Sequence, residues 1–483
     1  MQYILLMGLM LLVAAASSKV LYRYGIPTLI GFLALGIISG SEALGVVHFK
    51  DYMSARWMSD IALMFIMFSG GFGTSWKAAR GSALMAGTLA TLGVAITALL
   101  TGMGAYLFLG FSMLEGLLLG SIIASTDAAS VFSILRSKKL NIKCNVASTL
   151  EVESGSNDPM AYMLTVAVLG FMGSGGGNLA ATLLSQLIIG AALGYVLGRL
   201  AVLLINIIKL DVDGLYYVVA LGVVLVTFSL TGILGGNGLL AVYIAGIFMG
   251  NSKITHKVSL VRFFDGITWI MQILLFFTLG LLSSPSGIRS VWLDGMVIGL
   301  IVMFIARPVA VFLICGAFRR PLNENLLVSW VGFRGAAAVV FAIYPLVAGV
   351  PAAERIFNIV FFVILLSVML QGSLLVPVAR KLGLVGEEET VLKTFTDYSG
   401  EFHRELLEVE ISKDSDMDGK SIMEVPMPDD VLIATIKRGD QLITPRGSTV
   451  ILGGDKLLLA ADSRRRLEEI DRLARAHGAM HRL

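Results

Sequence analysis

Residues 151–159 read EVESGSNDP and lie in the middle of an apolar stretch over residues 146–172. A stretch of that length can cross the hydrocarbon core of a bilayer as one helix. An ionisable side chain inside such a helix costs roughly 2.5–3.5 kcal/mol on insertion scales, so it normally faces a partner or a water-filled cavity. The segment therefore predicts a membrane helix that carries a functional site.

The composition around this segment is that of a membrane protein with a soluble extension. Of the 483 residues, 56% are hydrophobic and 15% are charged. Residues 1–380 hold 22 Lys/Arg and 14 Asp/Glu, whereas residues 381–483 hold 15 and 20. This split excludes a single soluble domain, a disordered chain and a nucleic-acid binder, because the basic excess lies in the apolar part.

Apolar runs separated by charged or Gly/Pro breaks predict about thirteen spans in residues 1–380. A linker over 381–400 and a small α+β domain over 401–483 follow. The Gly-rich stretch Gly232–Gly238 could merge or split two spans. The spans lie near 2–18, 25–40, 58–73, 82–110, 113–136, 146–172, 179–208, 213–232, 237–251, 264–283, 291–317, 324–347 and 354–379.

Loop charges predict the orientation of these spans. One set of alternate loops carries about sixteen Lys/Arg, and the other carries four, Lys50, Arg56, Arg289 and Arg355. The basic set marks the cytoplasmic side, so we expect the N-terminus outside and residues 401–483 in the cytoplasm, in a plasma membrane. The first span resembles a signal peptide near residues 14–17, but its basic residues follow the apolar run, which favours a retained helix.

Three further polar breaks interrupt apolar spans. Thr126-Asp127 lies in the fifth span, Arg307-Pro308 in the eleventh and Arg334-Gly335 in the twelfth. Small or helix-poor residues at Thr126-Asp127 and Arg334-Gly335, and Gly155 and Pro159, which weaken the helix around Asp158, predict broken helices near the midplane. The alternative is a set of structural ion pairs that hold the bundle together.

Helical spacing divides the sixth span into two faces. Glu153 and Asn157 share one face, and Ser154 and Asp158 share the adjoining one. Glu151 extends the second face about 10 Å toward the cytoplasm, so it is either a cation funnel or a residue of the headgroup region. Carboxylates, hydroxyls and carbonyls suit alkali cations, and one carboxylate can bind either a proton or a cation.

Three motifs in order, Thr126-Asp127, Glu153-Ser154 with Asn157-Asp158, and Arg334-Gly335, resemble those of NhaP-type monovalent cation/proton antiporters. The resemblance covers nearly all of residues 1–380. It implies two inverted six-helix repeats with broken helices at the ion site, which agrees with motifs seven spans apart. It also implies a homodimer in which a core bundle moves against a dimerisation bundle.

The resemblance implies a role for each polar residue of the site. Asp158 would alternately hold cation and proton, and three other residues would complete the coordination of the cation. Glu153 would pair with Arg334. Asn at position 157 resembles electroneutral members, and Gly155-Ser156 resembles the potassium/proton, cell-volume-regulation subgroup. The other members of the expected set are Asp127, Thr126 and Ser154 at the cation, and Asn157 and Arg307 as support.

Residues 401–483 resemble the TrkA-C (RCK-C) module of potassium-transport regulators. In other members this module dimerises and binds small ligands, including cyclic di-AMP, so we expect either regulation or a constitutive dimer clamp. The glycine fingerprint of an NAD site is absent, and no other cofactor is expected. The expected elements are strands at Leu406–Ile411, Val431–Ile436, Gln441–Ile443, Thr449–Leu452 and Lys456–Ala460, and helices at Ser421–Val425 and Ser463–His477.

The expected function is exchange of potassium for protons across the membrane, by alternating access around Asp158. Two other readings stay open: a sodium/proton antiporter of the same fold, and a ligand-gated cation channel. A channel needs no protonatable carboxylate. An intramembrane aspartyl hydrolase is disfavoured, because Ser, Thr and Asn surround the two aspartates and arginines are buried nearby, so no enzymatic activity is expected.

Overall fold

The computed structural model describes the membrane-type helices and the C-terminal sheet. The described residues are 5, 8–17, 28–138, 140–142, 146–174, 178–208, 210, 212–386, 405–412, 415–425, 427, 431–439 and 441–461. The chain divides into two compact units, Met1–Ser399 and Gly400–Leu483. Of the linker predicted at 381–400, residues 381–386 are described and continue from the end of the last helix into a short strand, whereas residues 387–400 lie outside the described residues. The helix predicted at Ser463–His477 and several loop charges, among them Lys19 and Arg23, also lie outside the described residues.

The first unit is built from helices. Two short helices, Trp76–Ala79 and Pro285–Ser290, accompany the longer ones. The longer helices are α1 (Gly8–Ser17), α2 (Thr28–Ser39), α3 (Tyr52–Gly73), α4 (Ala83–Leu109), α5 (Met113–Ile123), α6 (Ala128–Ser137), α7 (Val146–Ser174), α8 (Leu179–Ile207), α9 (Gly214–Ile233), α10 (Gly238–Gly250), α11 (Lys257–Leu282), α12 (Trp292–Ala317), α13 (Leu322–Trp330), α14 (Ala336–Val347) and α15 (Ala353–Lys381).

Seven stretches of the described chain are long and apolar enough to cross a membrane. They are Ala83–Leu109, Met113–Leu135, Leu179–Ile207, Gly214–Ile233, Lys257–Leu282, Trp292–Ala317 and Ala353–Lys381. The stretch Gly232–Gly238 separates α9 from α10, and Gly235 takes a positive φ of 77° there. A multi-helical membrane architecture is therefore confirmed, while the count of thirteen spans stays a prediction.

Two spans are broken at the positions that their residue types predict. Residues 124–127 are non-helical between α5 and α6, and residues 331–335 are non-helical between α13 and α14. Both breaks lie in apolar surroundings, where unpaired backbone groups must find partners inside the protein. They thus bring free backbone donors and acceptors into the interior.

The prediction of a break in the sixth span is wrong. Helix α7 runs without interruption from Val146 to Ser174, with Pro159 inside it. Proline removes one helical hydrogen bond and usually kinks a helix. Here the Asn237 side chain donates from Nδ2 to the Pro159 carbonyl at 2.7 Å, so a neighbouring helix start supplies a partner to the backbone at the proline.

Antiparallel strands make up both sheets. In the first unit, β1 (Asn141–Ile142) pairs with β2 (Val385–Gly386). In the second unit, β3 (Glu405–Glu410), β4 (Val431–Arg438), β5 (Gln441–Ile443) and β6 (Lys456–Ala461) form a sheet of order β3-β6-β4-β5.

The predicted short helix at Ser421–Val425 is a 3₁₀ turn over Ile422–Glu424, capped by Ser421. The strand predicted at Thr449–Leu452 is wrong, because Val450 makes only an isolated bridge to Ser421. The alternation of apolar residues over 449–452 is therefore compatible both with a strand and with a single residue in a β-bridge.

Candidate functional site

The two helix breaks pack against each other at the centre of the site. The Asp127 backbone N–H donates to the Phe333 carbonyl at 2.8 Å. A Cβ on Gly335 would lie 2.5 Å from the Cβ of Asp127, so only glycine allows this approach. The Thr-Asp and Arg-Gly motifs, which are far apart in the chain, therefore meet in space.

Asp127 caps helix α6. Its Oδ1 accepts from the backbone N–H groups of Ala129 at 2.9 Å and Ser130 at 3.3 Å. Its Oδ2 accepts from the Ser130 hydroxyl at 2.5 Å. These are the bonds of an N-cap aspartate, and they explain why α6 begins immediately after the break. The carboxylate nevertheless lines the cavity described below, so capping and ion binding are compatible.

Asp158 is buried on α7, with 8% of its surface exposed. Its Oδ1 accepts a hydrogen bond from the Ser125 hydroxyl, which belongs to the first broken segment. No basic side chain forms an ion pair with it among the described residues. An ionised carboxylate can accept several bonds, so Asp158 keeps acceptor capacity for an ion or a proton.

The other polar residues of α7 hold the broken segment of residues 124–127 in place. The Ser154 hydroxyl donates to the Thr126 carbonyl and accepts from the Ala128 N–H, each at 3.0 Å. The Asn157 amide donates from Nδ2 to the Thr126 hydroxyl. Ser154 and Asn157 thus supply the partners that the interrupted helix lacks.

Glu153 pairs with Arg307 and not with Arg334, so the expected Glu153–Arg334 pair is wrong. The guanidinium of Arg307 donates to both carboxylate oxygens, at 2.5 and 2.9 Å, and both side chains are buried. Arg334 instead donates from Nη1 to the carbonyls of Ala124 at 2.8 Å and Ser125 at 3.0 Å. Two buried arginines stand near one acid, and helical spacing could not decide between them.

A cavity of about 250 Å³ joins these residues. Four of the predicted ion-site residues line it together: Thr126, Asp127, Ser154 and Asp158. Glu151 lines it as well, in the second turn of α7, as does Thr74 directly after α3. The cavity is not lined by the predicted support residues, which are Glu153, Asn157, Arg307 and Arg334. The polar residues of the site therefore form two groups, one that faces the cavity and one that packs behind it.

Sequence reasoning did not select three residues that the geometry assigns to the site. Ser125 bonds to Asp158, Ser130 bonds to Asp127, and Asn237 bonds to the backbone of Pro159. Ser125 and Ser130 stand within three residues of Asp127, so their position beside a helix break was a usable signal. Asn237 follows a Gly-rich turn far along the chain, and no local pattern marks it.

Two helix breaks in contact with each other, together with a carboxylate that faces a cavity, are typical of secondary transporters. The chain belongs to the sodium/hydrogen exchanger family: the family model "Sodium/hydrogen exchanger, transmembrane" matches residues 8–381. A second model, the TrkA-C domain, matches residues 406–474. The protein is therefore an integral membrane protein with a C-terminal TrkA-C domain.

Relatives and a solved structure agree with this assignment. The chain is 37% identical to the K(+)/H(+) antiporter NhaP2 of Shewanella sp. MR-4 over 480 residues, which is 98% of this chain and 83% of the relative. It is 36% identical to the K(+)/H(+) antiporter NhaP of Alkalimonas amylolytica, over 94% and 80% of the two chains. The sodium proton antiporter MjNhaP1 of Methanocaldococcus jannaschii superimposes with a TM-score of 0.70 at 25% identity, covering 79% of this chain and 99% of that one.

Proposed function

We propose that this protein exchanges potassium for protons across the plasma membrane, with the cation and the proton competing for Asp158. The observation that carries the proposal is a buried, cavity-lining carboxylate that has a hydroxyl partner and no ion-pair partner among the described residues. A buried carboxylate without a fixed counter-charge is stabilised by taking up either a proton or a cation. The relatives named as K(+)/H(+) antiporters support potassium as the cation.

In each half of the transport cycle, Asp158 carries either one cation or one proton across the membrane. With a cation bound, the Asp158 carboxylate is ionised and the Ser125 hydroxyl donates to it. When a proton replaces the cation, the carboxyl is neutral and the same pocket carries no ion. Loaded and protonated forms then have the same net charge at the site, because Asp158 is the group that changes its protonation state in this proposal and Asn157 beside it cannot ionise. One cation therefore exchanges for one proton.

Other oxygens near Asp158 complete the cation's coordination. Asp127, Thr126 and Ser154 line the same cavity and keep acceptor capacity beyond the bonds they already make. Hard oxygen donors of this kind suit an alkali cation. Glu153, Arg307, Asn157 and Arg334 hold the broken segments and do not contact the ion. Glu151 lies at the other end of the cavity and attracts cations toward Asp158.

Sodium is the second candidate substrate. The family description and the structural relative from Methanocaldococcus both name sodium, and this similarity favours a sodium/proton variant of the same mechanism. The oxygen set of the site accommodates either cation.

The TrkA-C domain supplies the proposed regulation. We assign it a small ligand such as a signalling nucleotide, which biases the membrane unit within a homodimer. Removing residues 400–483 from the chain is expected to change the rate or ligand dependence of exchange, measured in the same vesicles as below. Exchange that is identical with and without these residues contradicts regulation.

The test of the proposed function is proton movement in vesicles that contain the purified protein and a pH-sensitive dye. Adding potassium is expected to move protons, and Asp158→Asn is expected to abolish that movement because an amide cannot exchange a proton for a cation. Asp213→Asn, at an exposed loop carboxylate, is the matched control and is expected to behave as the native protein. Sodium and lithium are tested in parallel. The proposal fails if no cation moves protons, or if Asp158→Asn still couples them.

A further inference from the structure

An aromatic cluster closes α7 against α14 just beyond the ion site. Tyr162 lies four residues after Asp158, one helical turn or about 6 Å further along α7. Its ring centroid is 5.6 Å from that of Tyr344 and 5.9 Å from that of Phe341. Tyr344 and Phe341 are both buried on α14. Three aromatic rings in edge-on or tilted contact therefore fill the space beside α7 just beyond Asp158.

A hydrogen bond ties this cluster to helix α3. The Tyr344 hydroxyl donates to Oδ1 of Asp60 at 2.5 Å. Arg56 lies one turn earlier on α3, with Nε 3.7 Å from Oδ2 of Asp60 and its guanidinium carbon 4.4 Å from the centre of the Tyr344 ring. We call Arg56, Asp60, Tyr162, Phe341 and Tyr344 the tyrosine latch. It joins three helices through one acid and one hydroxyl.

The latch lies on the opposite side of Asp158 from the cavity. The cavity reaches Glu151, seven residues before Asp158 on α7, and Thr74, directly after α3. The latch uses α7 four residues after Asp158 and α3 at residues 56–60, and no latch residue lines the cavity. The cavity therefore extends from Asp158 toward Glu151, and the latch packs on the side of Asp158 toward Tyr162.

We propose that the tyrosine latch is the closed gate on the side of Asp158 away from the cavity, and that the Asp60–Tyr344 hydrogen bond breaks each time the ion site opens to that side. This inference rests on the proposed exchange function. In the sequence-based orientation the latch faces the outside, and the cavity faces the cytoplasm. Loss of the bond favours the state that is open to the latch side, because only the latch-closed state contains it.

The variant that isolates the bond is Tyr344→Phe, which keeps the ring and its edge-to-face contact with Tyr162. The half-saturating potassium concentration is measured from each side, in vesicles of known protein orientation. We expect this concentration to fall when potassium is added on the latch side and to rise when it is added on the cavity side. The ratio of the two half-saturating concentrations should change about fivefold, because the net free energy of one hydrogen bond corresponds to a change of that size in an equilibrium constant. Tyr195→Phe is the matched control, since the Tyr195 hydroxyl accepts from Arg199 on the exposed surface of α8.

A second variant keeps the test decisive if Tyr344→Phe is produced poorly. Asp60→Asn removes the charge that Arg56 and Tyr344 share, and it is expected to move the ratio in the same direction. An unchanged ratio in both variants, or equal changes from both sides, would overturn the gate and leave a merely structural cluster. If the ratio is unchanged while Asp158→Asn abolishes exchange, only the gate fails. If Asp158→Asn still exchanges, the proposed function fails first.

Discussion

Glu153 and Asp158 are two buried carboxylates on one helix, and their surroundings differ in one decisive respect. Glu153 receives two hydrogen bonds from Arg307 and has 1% of its surface exposed. Asp158 receives one from a serine hydroxyl and lines the cavity. A paired acid has its charge compensated permanently, whereas an acid with a neutral partner must take its compensation from a mobile ion. The same residue chemistry therefore makes a fixed ion pair at one position and leaves the other free for the proposed exchange of cation and proton.

The largest effect that separates the two acids is on stability. Glu153→Gln leaves Arg307 buried without its counter-charge, and breaking a buried pair in this way costs about 3–5 kcal/mol. We expect the unfolding temperature of the detergent-purified protein to fall clearly, while the folded fraction still exchanges cations. Asp158→Asn is the comparison, and it is expected to keep the native unfolding temperature and lose exchange. Glu153→Gln with native stability would contradict the structural role.

Asp127 tests whether one carboxylate can serve both purposes. Asp127→Asn keeps the helix cap, because asparagine caps as well as aspartate, but it removes the negative charge from the cavity. We expect native stability and a rise of about tenfold in the half-saturating potassium concentration, measured by proton movement in vesicles. Asp127→Ala, which loses cap and charge together, is expected to lose about 1 kcal/mol of stability as well. Native affinity in Asp127→Asn would restrict this residue to capping.

The smallest effect is expected at a pair whose arginine is partly exposed and whose acid is buried. In the C-terminal unit, Arg438 donates to both oxygens of Asp455, at 2.8 and 2.7 Å, and these bonds hold the pKa of the Asp455 carboxyl below its usual range. A depressed acid pKa stabilises the folded state above the unfolded value near 4, and this contribution is lost as the pH falls through the folded-state pKa.

Since Arg438 is 37% exposed, Arg438→Ala is expected to cost less than about 1 kcal/mol at pH 7. Hydrogen exchange of residues 431–461 in the full chain measures that cost. A cost equal to that of Glu153→Gln would remove the distinction between buried and exposed pairs.

Much of the fold and of the candidate site's lining could be predicted from the sequence, because both depend on residue types that are costly in a membrane. Thr126-Asp127 and Arg334-Gly335 marked the two broken helices, and Asp158, Asp127, Thr126 and Ser154 do line one cavity. The two faces of α7 were also correct, since Glu153 and Asn157 face the support residues and not the cavity.

Two of the errors concern contacts with residues far away in the chain. Glu153 had two buried arginines within reach, and only the packing of α12 selects Arg307. Helix α7 continues through Pro159 with Asn237, 78 residues later, bonded to its carbonyl. Spacing along one helix carries no information on such contacts.

Competition between cation and proton at Asp158 is the central claim, and one measurement tests it directly. The half-saturating potassium concentration for exchange is determined in vesicles at a series of pH values. If both ligands compete for the one carboxylate, it rises about tenfold for each unit by which the pH falls on the acidic side, while the maximal rate stays constant. A half-saturating concentration that does not depend on pH would contradict the account, because cation and proton would then occupy different sites.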